Sequence, residues 1–365
     1  MKVGLFAKLF PPPRYLALPA DGLDLSDRSL KFVRLRTGKS SLELSAYGEK
    51  VLPLDIVQAG EIKNKPALIE ILKQAKLEWK LENVVAALPE EKAYIARMPI
   101  VGAAANGDWR ELIELQLEEY VPLPPGETVF DYEPVQIRPN TTSLAPAALV
   151  SALPAQLVQD YEEVLQAAGL RPRAFEIEAQ AVARALVPVT SRETAMIIDF
   201  GKTRTSFFIV RGQQVLFTFT SAQLGGDIIT RALEKSLNLK TPEAEQVKFT
   251  RGLLAGEDSA ARLTAIVPAL SVLRDEVLKL QSFWHDHWQV VEERVALQRA
   301  VLCGGEAALP GLVEYLNAHL PLQVELGQVW NNVLELNQTV PDLSQTASLR
   351  YATAIGLALK TFIPN

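Results

Sequence analysis

The 365-residue sequence predicts an α/β protein of two duplicated lobes with a further subdomain inserted between them. Two observations carry that prediction. A unit made of an apolar strand ending in aspartate, a short polar turn and a second β-type run occurs twice, first in LDLSDRSLKFVRLR and again in AMIIDFGKTRTSFFIV. Between the copies, strand and helix signals follow the order βαββαβ, which describes a compact sheet-plus-helices subdomain.

The first unit continues through TGKS into SLELSAYGEKVLP, and the second through a turn at 211–214 into QVLFTFTSAQLGG. Gly38 and Gly212 thus fall in matching hairpin turns, at nearly equal distances from Asp24 and Asp199. Helical periodicity follows each copy, over 66–80 and 226–237. In the insertion the pattern predicts strands over 91–99, 128–137, 147–153 and 173–178. It predicts helices over 108–120 and 154–168, the second closed by Gly169. Beyond Gly226 the chain reads as mainly helical to 295, with amphipathic stretches over 241–255 and 259–289. RAVLCGGEAALPGL then supplies a buried strand and a glycine turn ahead of a helix, and a last helix is expected over 348–361.

Composition excludes several classes of function. Lys plus Arg number 37 against 43 Asp plus Glu, so no basic field exists to collect nucleic acid or anionic lipid. A single cysteine, Cys303, and three histidines cannot build a disulfide framework or a Cys/His metal cage, which points to a reducing cytosol. The opening MKVGLFAKLFPPPRY is broken by Lys8 and by Pro11, Pro12 and Pro13 before a secretory apolar core forms. It reads as a frayed terminus with a stiff proline spacer, or as a short segment that binds a partner or surface. TGKS at 37–40 imitates the end of a P-loop, but Val33 stands where that motif requires glycine.

The chemistry-bearing residues are distributed over several turns. A buried strand that ends in Asp and turns tightly presents a carboxylate and backbone N–H groups at one sheet end, and two such turns facing each other would grip phosphates and a hydrated metal. The candidates are Asp24 with Ser26, Ser29 and Lys31, then Asp199 with Gly201, Thr203 and Thr205, together with Gly225, Gly226, Gly304 and Gly305. Lys31 would neutralise phosphate charge, and Asp24 and Asp199 would hold Mg²⁺ largely through water. The alternative is a scaffold whose turns merely need Gly and Asp. In the insertion, the acidic helix with Glu111, Glu114 and Glu118, leading into Tyr120, Pro122 and VPLPPGE, is either a solvated face or a docking face for a basic peptide.

The order LDLSDRSLKFVRL, IIDFGKTRTSFFIV, LGGDIITRAL and VLCGGEAALPGL resembles the phosphate-1, phosphate-2, helix-start and adenosine motifs of the actin-like ATPase (ribonuclease H-like) superfamily. The insertion, ARMPIVGAAANGDWRELIELQLEEYVPLPPGETVFDYEPV followed by ALVSALPAQLVQDYEEVLQAAGLRPRAFEIEAQAVARAL, is similar to the PilM family of type IV pilus assembly proteins, with FtsA of cell division as nearest relative. That resemblance covers the chain from about Gly22 to Leu359. It implies an N-terminal extension (1–21), subdomain 1A (22–90), an inserted 1C (91–178), a return helix of 1A (179–190), subdomain 2A (191–225 and 299–365) and subdomain 2B (226–298). It further implies ATP with Mg²⁺ between the lobes, Glu276 and Lys279 flanking ribose and base, and Gln180 or Glu178 orienting an attacking water. The partners implied are the cytoplasmic tail of a PilN-like membrane protein and other pilus platform or motor components. Membrane association would then be indirect, at the inner face of the cytoplasmic membrane.

Departures from the family pattern bear on catalysis. Ser26 replaces the usual glycine two residues after the first aspartate, and Asp27 and Arg28 are bulkier than the usual small residues. Lys202 and Arg204 add positive charge to the second loop, while Glu306 replaces the third glycine of the adenosine turn and would crowd the nucleotide. Slow hydrolysis or none is expected. Competing expectations are an FtsA-like filament protein, a small-molecule kinase and a nucleotide-free adaptor. Against the filament protein, the chain closes at FIPN directly after the last predicted helix, without an amphipathic anchor.

Overall fold

The two aspartate-ended strands become the central strands of two equivalent sheets in the computed structural model, which describes residues 19–38, 41–100, 108–135, 146–256, 258–287, 297–334 and 341–362. In the first lobe, β1 (Asp21–Leu25), β2 (Ser29–Thr37) and β3 (Leu42–Val51) form an antiparallel meander. A two-residue ladder, β4 (Val57–Gln58) with β5 (Glu61–Ile62), leads to helix α1 (Lys65–Trp79) and then β6 (Asn83–Leu88), which lies parallel to β1. Asn64 caps α1 by accepting from the Ala67 N–H, Pro66 suits its first turn, and Lys80 ends it in a left-handed conformation.

The insertion follows as β7 (Tyr94–Pro99), α2 (Arg110–Tyr120), β8 (Thr128–Pro134), β9 (Ala147–Pro154), α3 (Ala155–Ala167) and β10 (Arg171–Ile177), the βαββαβ order expected. Its own sheet, β7-β9-β8, has three strands, because β10 pairs in parallel with β6 and completes the first lobe's sheet. Helix α3 lies beside α1, where Lys65 pairs with Asp160 at 2.9 Å and with Glu163 at 2.6 Å. The reason lies in burial: β10 ends in the apolar pair at Phe175 and Ile177 that packs into the main core, while the three-stranded sheet closes a separate core around Met98, Trp109, Ile113, Leu117, Phe130 and Val150.

After α4 (Glu178–Leu186), the second lobe repeats the plan with β11 (Thr194–Phe200), β12 (Thr205–Arg211) and β13 (Gln214–Ser221). Helices α5 (Gly226–Leu237), α6 (Thr241–Thr250) and α7 (Ser259–His287) precede β14 (Arg299–Cys303), α8 (Leu312–His319), β15 (Gln323–Leu326) and the C-terminal α9 (Ala352–Leu359). The sheet orders β3-β2-β1-β6-β10 and β13-β12-β11-β14-β15 match strand for strand in order and in sense. The duplication read from the sequence is therefore present in three dimensions. The strand interiors explain why these segments are central: every residue of β1 is buried, whereas β3 at the edge alternates half-buried with exposed.

A crossing of small residues fixes the C-terminal helix on the first lobe. Helix α9, ATAIGLAL, is buried on all sides and packs against α4, β1 and β2. A Cβ on Gly356 would collide with the backbone carbonyl of Ala181, and one on Gly22 with the carbonyl of Ala354. Arg184 of α4 fastens the crossing by donating to the Gly356 carbonyl at 2.9 Å and to Glu176 at 2.5 Å. The amino-terminal segment 1–18, on which the spacer or partner-binding expectation fell, lies outside the described residues. Among the described residues, no helix is long and apolar enough to cross a membrane.

Gly356→Ala tests the crossing. The added methyl must push two backbones apart, so urea unfolding is expected to show a loss of about 2 kcal/mol or more despite the helix propensity gained. A neutral or stabilising change would mean that α9 and α4 have room to part.

Candidate functional site: the interlobe cleft

Because the lobes are copies, their equivalent loops meet. The β1–β2 turn closes with the Ser26 N–H donating to Ser29 O at 2.9 Å, and the β11–β12 turn with the Gly201 N–H donating to Arg204 O at 3.0 Å. Ser26 therefore stands where the second loop has Gly201, and its Oγ is taken up within its own turn by Ser29. Both loops face one cavity of about 360 Å³, in the size range of small-ligand sites.

Eleven of the candidate ligand-binding and catalytic residues line this cavity, namely Asp24, Ser26, Ser29, Lys31, Glu178, Asp199, Gly201, Thr203, Gly304, Gly305 and Glu306, and so do Arg28, Lys202 and Arg204. Gly304 turns the chain at φ +86, and any side chain there would strike Asp199 and the Phe200 carbonyl, so glycine is required for the β14 turn to reach the cavity floor. Gly225 and Gly226 support the wall from behind. Gly225 packs on the backbone of Lys202 and Thr203, and Gly226 donates to Gly201 O at 3.0 Å while facing the Glu306 carboxylate.

Other candidates fall elsewhere. Thr205 is fully buried and donates to Leu224 O at 2.8 Å, a structural bond that joins β12 to the loop before α5. Gln180 lies 3.4 Å from Ser151 Oγ and does not line the cavity, so of the two residues expected to orient water only Glu178 faces it. Glu276 and Lys279 do not line it either. They pair with each other at 3.2 Å on α7, with Lys279 exposed and set over the Phe219 ring. Helical spacing puts them on one face of α7, and that face meets β13 at Phe219. Glu111, Glu114, Glu118, Tyr120 and Pro122 form an exposed strip on α2 and the turn after it, with Ile113 and Leu117 buried on the opposite face.

The cleft is lined with ion pairs, most of them invisible in the sequence because their members are far apart in the chain. Arg204 Nη1 donates to Asp27 Oδ2 at 2.9 Å and lies 2.8 Å from Glu91 Oε1, while Nη2 is 3.8 Å from Glu178. Arg28 Nη2 donates to Asp227 Oδ2 at 2.7 Å. The positive charge expected from Lys202 and Arg204 is thus compensated internally, since Lys202 pairs with Glu245 at 2.8 Å. Glu306, expected to crowd a ligand, turns its carboxylate to the fully buried Lys248 at 2.8 Å, which also donates to Thr230 Oγ1 at 2.9 Å. Glu245, Phe249, Arg350 and Thr353 line the cavity without having been singled out. The acidic and apolar periodicity of TPEAEQVKF located the helix of Glu245 and Phe249 but not its orientation.

Burial sets the electrostatics. Desolvation, then the neighbouring Asp24 carboxylate, push Asp199 up to about 6, against the opposing pull of Lys31 and Arg204. Desolvation likewise raises Glu178 well above the ordinary carboxylate range, although Arg204 opposes it, and raises Glu90, whose oxygens have no hydrogen-bond partner. Among the described residues, no three His, Cys, Asp or Glu side chains converge on a metal position. Asp24 and Asp199 fit a divalent cation that keeps most of its water, as Mg²⁺ does, and not a fully protein-ligated ion.

Two lobes of identical sheet order, closing on one cleft through equivalent strand-end loops, define the actin-like ATPase class of fold. Solved structures of that class agree. MreB5 of Spiroplasma citri bound to ADP is similar with a TM-score of 0.54 at 14 % identity, covering 94 % of this chain and 95 % of that one. The ethanolamine utilization protein EutJ of Carboxydothermus hydrogenoformans has a TM-score of 0.54 at 17 % identity, covering 96 % and 90 %. A PilM-PilN type IV pilus biogenesis complex is similar with a TM-score of 0.75 at 24 % identity, covering 95 % of this chain and 100 % of the matched one. Residues 22–362 match the family described as type IV pilus assembly protein PilM, and the chain belongs to that family. The cell division protein FtsA of Streptococcus pneumoniae serotype 2 is 25 % identical over 187 residues. That match spans 47 % of this chain and 41 % of FtsA, less than half of the curated relative.

An aspartate raised to about 6 holds its proton more tightly folded than unfolded, so its contribution to stability is present below about pH 4 and lost as pH rises through about 6. Asp199→Asn removes that loss. In urea unfolding the variant should gain on the wild type by up to about 3 kcal/mol between about pH 4 and about pH 8. A constant difference would show that Asp199 titrates as an ordinary aspartate.

Proposed function

We propose that the protein is an ATP-binding scaffold of a type IV pilus inner-membrane platform, acting in the cytoplasm at the inner face of the membrane. On this reading its cleft takes ATP with hydrated Mg²⁺, and its insertion holds the cytoplasmic tail of a PilN-like membrane protein. The observation that carries the nucleotide half is the convergence of Asp24, Ser29 and Lys31 from one loop with Asp199, Gly201 and Thr203 from its duplicate on a single cavity. The boundaries assigned are 1A at 22–90, 1C at 91–178 with return helix 179–190, 2A at 191–225 and 299–365, and 2B at 226–298. Since β10 bonds to β6, the insertion shares its last strand with 1A, and movement of the cleft is carried into 1C through that strand.

The residues divide the work by position. Lys31 neutralises phosphate charge, Ser29 and Thr203 donate hydroxyl hydrogen bonds, and Asp24 and Asp199 orient the waters of the cation. The metal would supply charge neutralisation between phosphate oxygens. Glu178 faces the same space, but its carboxylate is engaged with Arg204, 3.8 Å away, rather than free to orient a water, which suits slow hydrolysis or none. The exposed acidic strip Glu111, Glu114 and Glu118, with Tyr120 and Pro122, is the docking face assigned to a basic tail. Other platform or motor components would be reached through the same assembly, with no nucleic acid involved.

Titration of a fluorescent ATP analogue with Mg²⁺ tests the cleft: Asp199→Ala is expected to weaken binding at least about tenfold, and equal signals from variant and wild type would leave the second loop without a nucleotide role. A saturating PilN-like tail peptide should shift the ATP midpoint, and ATP should shift the peptide midpoint by the same factor. Identical curves with and without peptide would refute the coupling. Glu111→Gln combined with Glu114→Gln and Glu118→Gln should weaken the peptide severalfold at low salt and leave thermal unfolding unchanged.

A further inference from the structure

Each lysine and arginine among the described residues that line the cavity already has a carboxylate partner. Lys31 is paired with Asp24 at 3.4 Å, Arg28 with Asp227 at 2.7 Å and Lys202 with Glu245 at 2.8 Å. Arg204 is paired with Asp27 at 2.9 Å and Arg350 with Glu49 at 3.1 Å. A polyphosphate entering between the loops meets no unspent positive charge, so at least one pair must exchange its carboxylate for phosphate oxygen. Burial decides which. Lys31 and Arg204 and their carboxylates are nearly enclosed, and releasing those carboxylates would strand buried charge. Lys202 and Arg350 are close to half-exposed and are tied to carboxylates that themselves line the cavity, so a freed Glu245 or Glu49 would still face the incoming phosphates.

Arg28 differs from all four. It projects from the β1–β2 turn, next to Ser29, and faces the cavity, while its partner Asp227 sits outside the lining, in the first turn of α5. Both side chains are partly in water, 30 % and 23 % exposed, so a released Asp227 carboxylate can rehydrate where it stands. Its place is held by its own N–H, which donates to Lys202 O at 2.9 Å. The bond also spans the lobes, joining the first loop to the helix that starts behind the second.

We infer that Asp227 is a built-in competitor for nucleotide phosphate: it holds Arg28 across the cleft, and a polyphosphate takes the guanidinium from it, making Arg28 a phosphate ligand peculiar to this loop. This rests on the nucleotide reading above. The exchange trades one charge-assisted hydrogen bond for another, so occupancy of the cleft is coupled to release of an interlobe tie.

The test is a titration of the full chain with a fluorescent ATP analogue, with adenosine as the phosphate-free control in competition. Asp227→Asn removes the competitor and is expected to tighten the analogue roughly two- to fivefold. Arg28→Gln is expected to weaken it about tenfold, and Arg28→Lys to recover part of that loss. Adenosine affinity should stay within about twofold in all three. Thermal unfolding accompanies each titration, and Asp227→Ser stands in should the asparagine variant fold poorly. Weaker or unchanged analogue binding by Asp227→Asn and Asp227→Ser, or parallel losses for adenosine in Arg28→Gln, would overturn the competitor while leaving the nucleotide site intact. If wild-type protein binds neither analogue nor adenosine, the nucleotide reading falls and the competitor falls with it.

Discussion

The close approach of the C-terminal helix to the first lobe is a contact of backbone with backbone, with almost no side chains between. Gly356 of α9 lies on the Ala181 backbone of α4, and Ala354 lies on Gly22 of β1, so backbone meets backbone and the approach is as close as sterics allow. Helix α9 belongs by sequence to the second half and by packing to the first, which ties the halves at the end of the chain as well as in its middle. A bulkier residue at either glycine would push α9 off the first lobe. The turns that follow β1 and β11 face one cavity, which results from two copies of a single loop.

That cavity is rich in charge but internally neutralised. Six carboxylates and five cations line it, and the cations are committed to carboxylates of the cavity wall or just behind it. Ions removed from water repay their desolvation only when paired closely, and the pairs at Arg204 and Lys248 show how it is done here: one buried cation answers two or three acceptors from different segments. Where pairing is incomplete, the proton does the work, which is why Glu90, Glu178 and Asp199 all hold theirs more tightly than free carboxylates. Three of the interlobe ties, at Arg28, Arg204 and Arg350, are ionic, so the cleft is spanned by bonds that charge and salt can address.

The insertion follows a different logic. Its three-stranded sheet and α2 enclose a small core of their own, separate from the main one, and present an acidic strip to solvent. A unit with an independent core can carry a recognition surface without disturbing the cleft. Its shared strand, β10, runs directly into α4 at Glu178, which lines the cleft.

The sequence by itself determined the class, the duplication and the position of the loops. Apolar runs ending in Asp, turn glycines and helical periodicity are local properties, set by backbone sterics and by which faces must leave water, and they survive translation into β1, β11, α1 and α5 nearly residue for residue. Asp24, Lys31, Asp199 and Gly304 were legible for the same reason. Only the tertiary structure decided what depends on facing: that Glu178 and not Gln180 lines the cavity, that Glu276 and Lys279 lie outside its lining, and that Thr205 bonds to the scaffold. It alone showed that β10 belongs to the first sheet and that Arg28 meets Asp227 and Arg204 meets Asp27. Such pairings join residues distant in the chain, and no periodicity encodes them. They arise when buried charges, brought together by packing, must find partners in a medium that cannot solvate them.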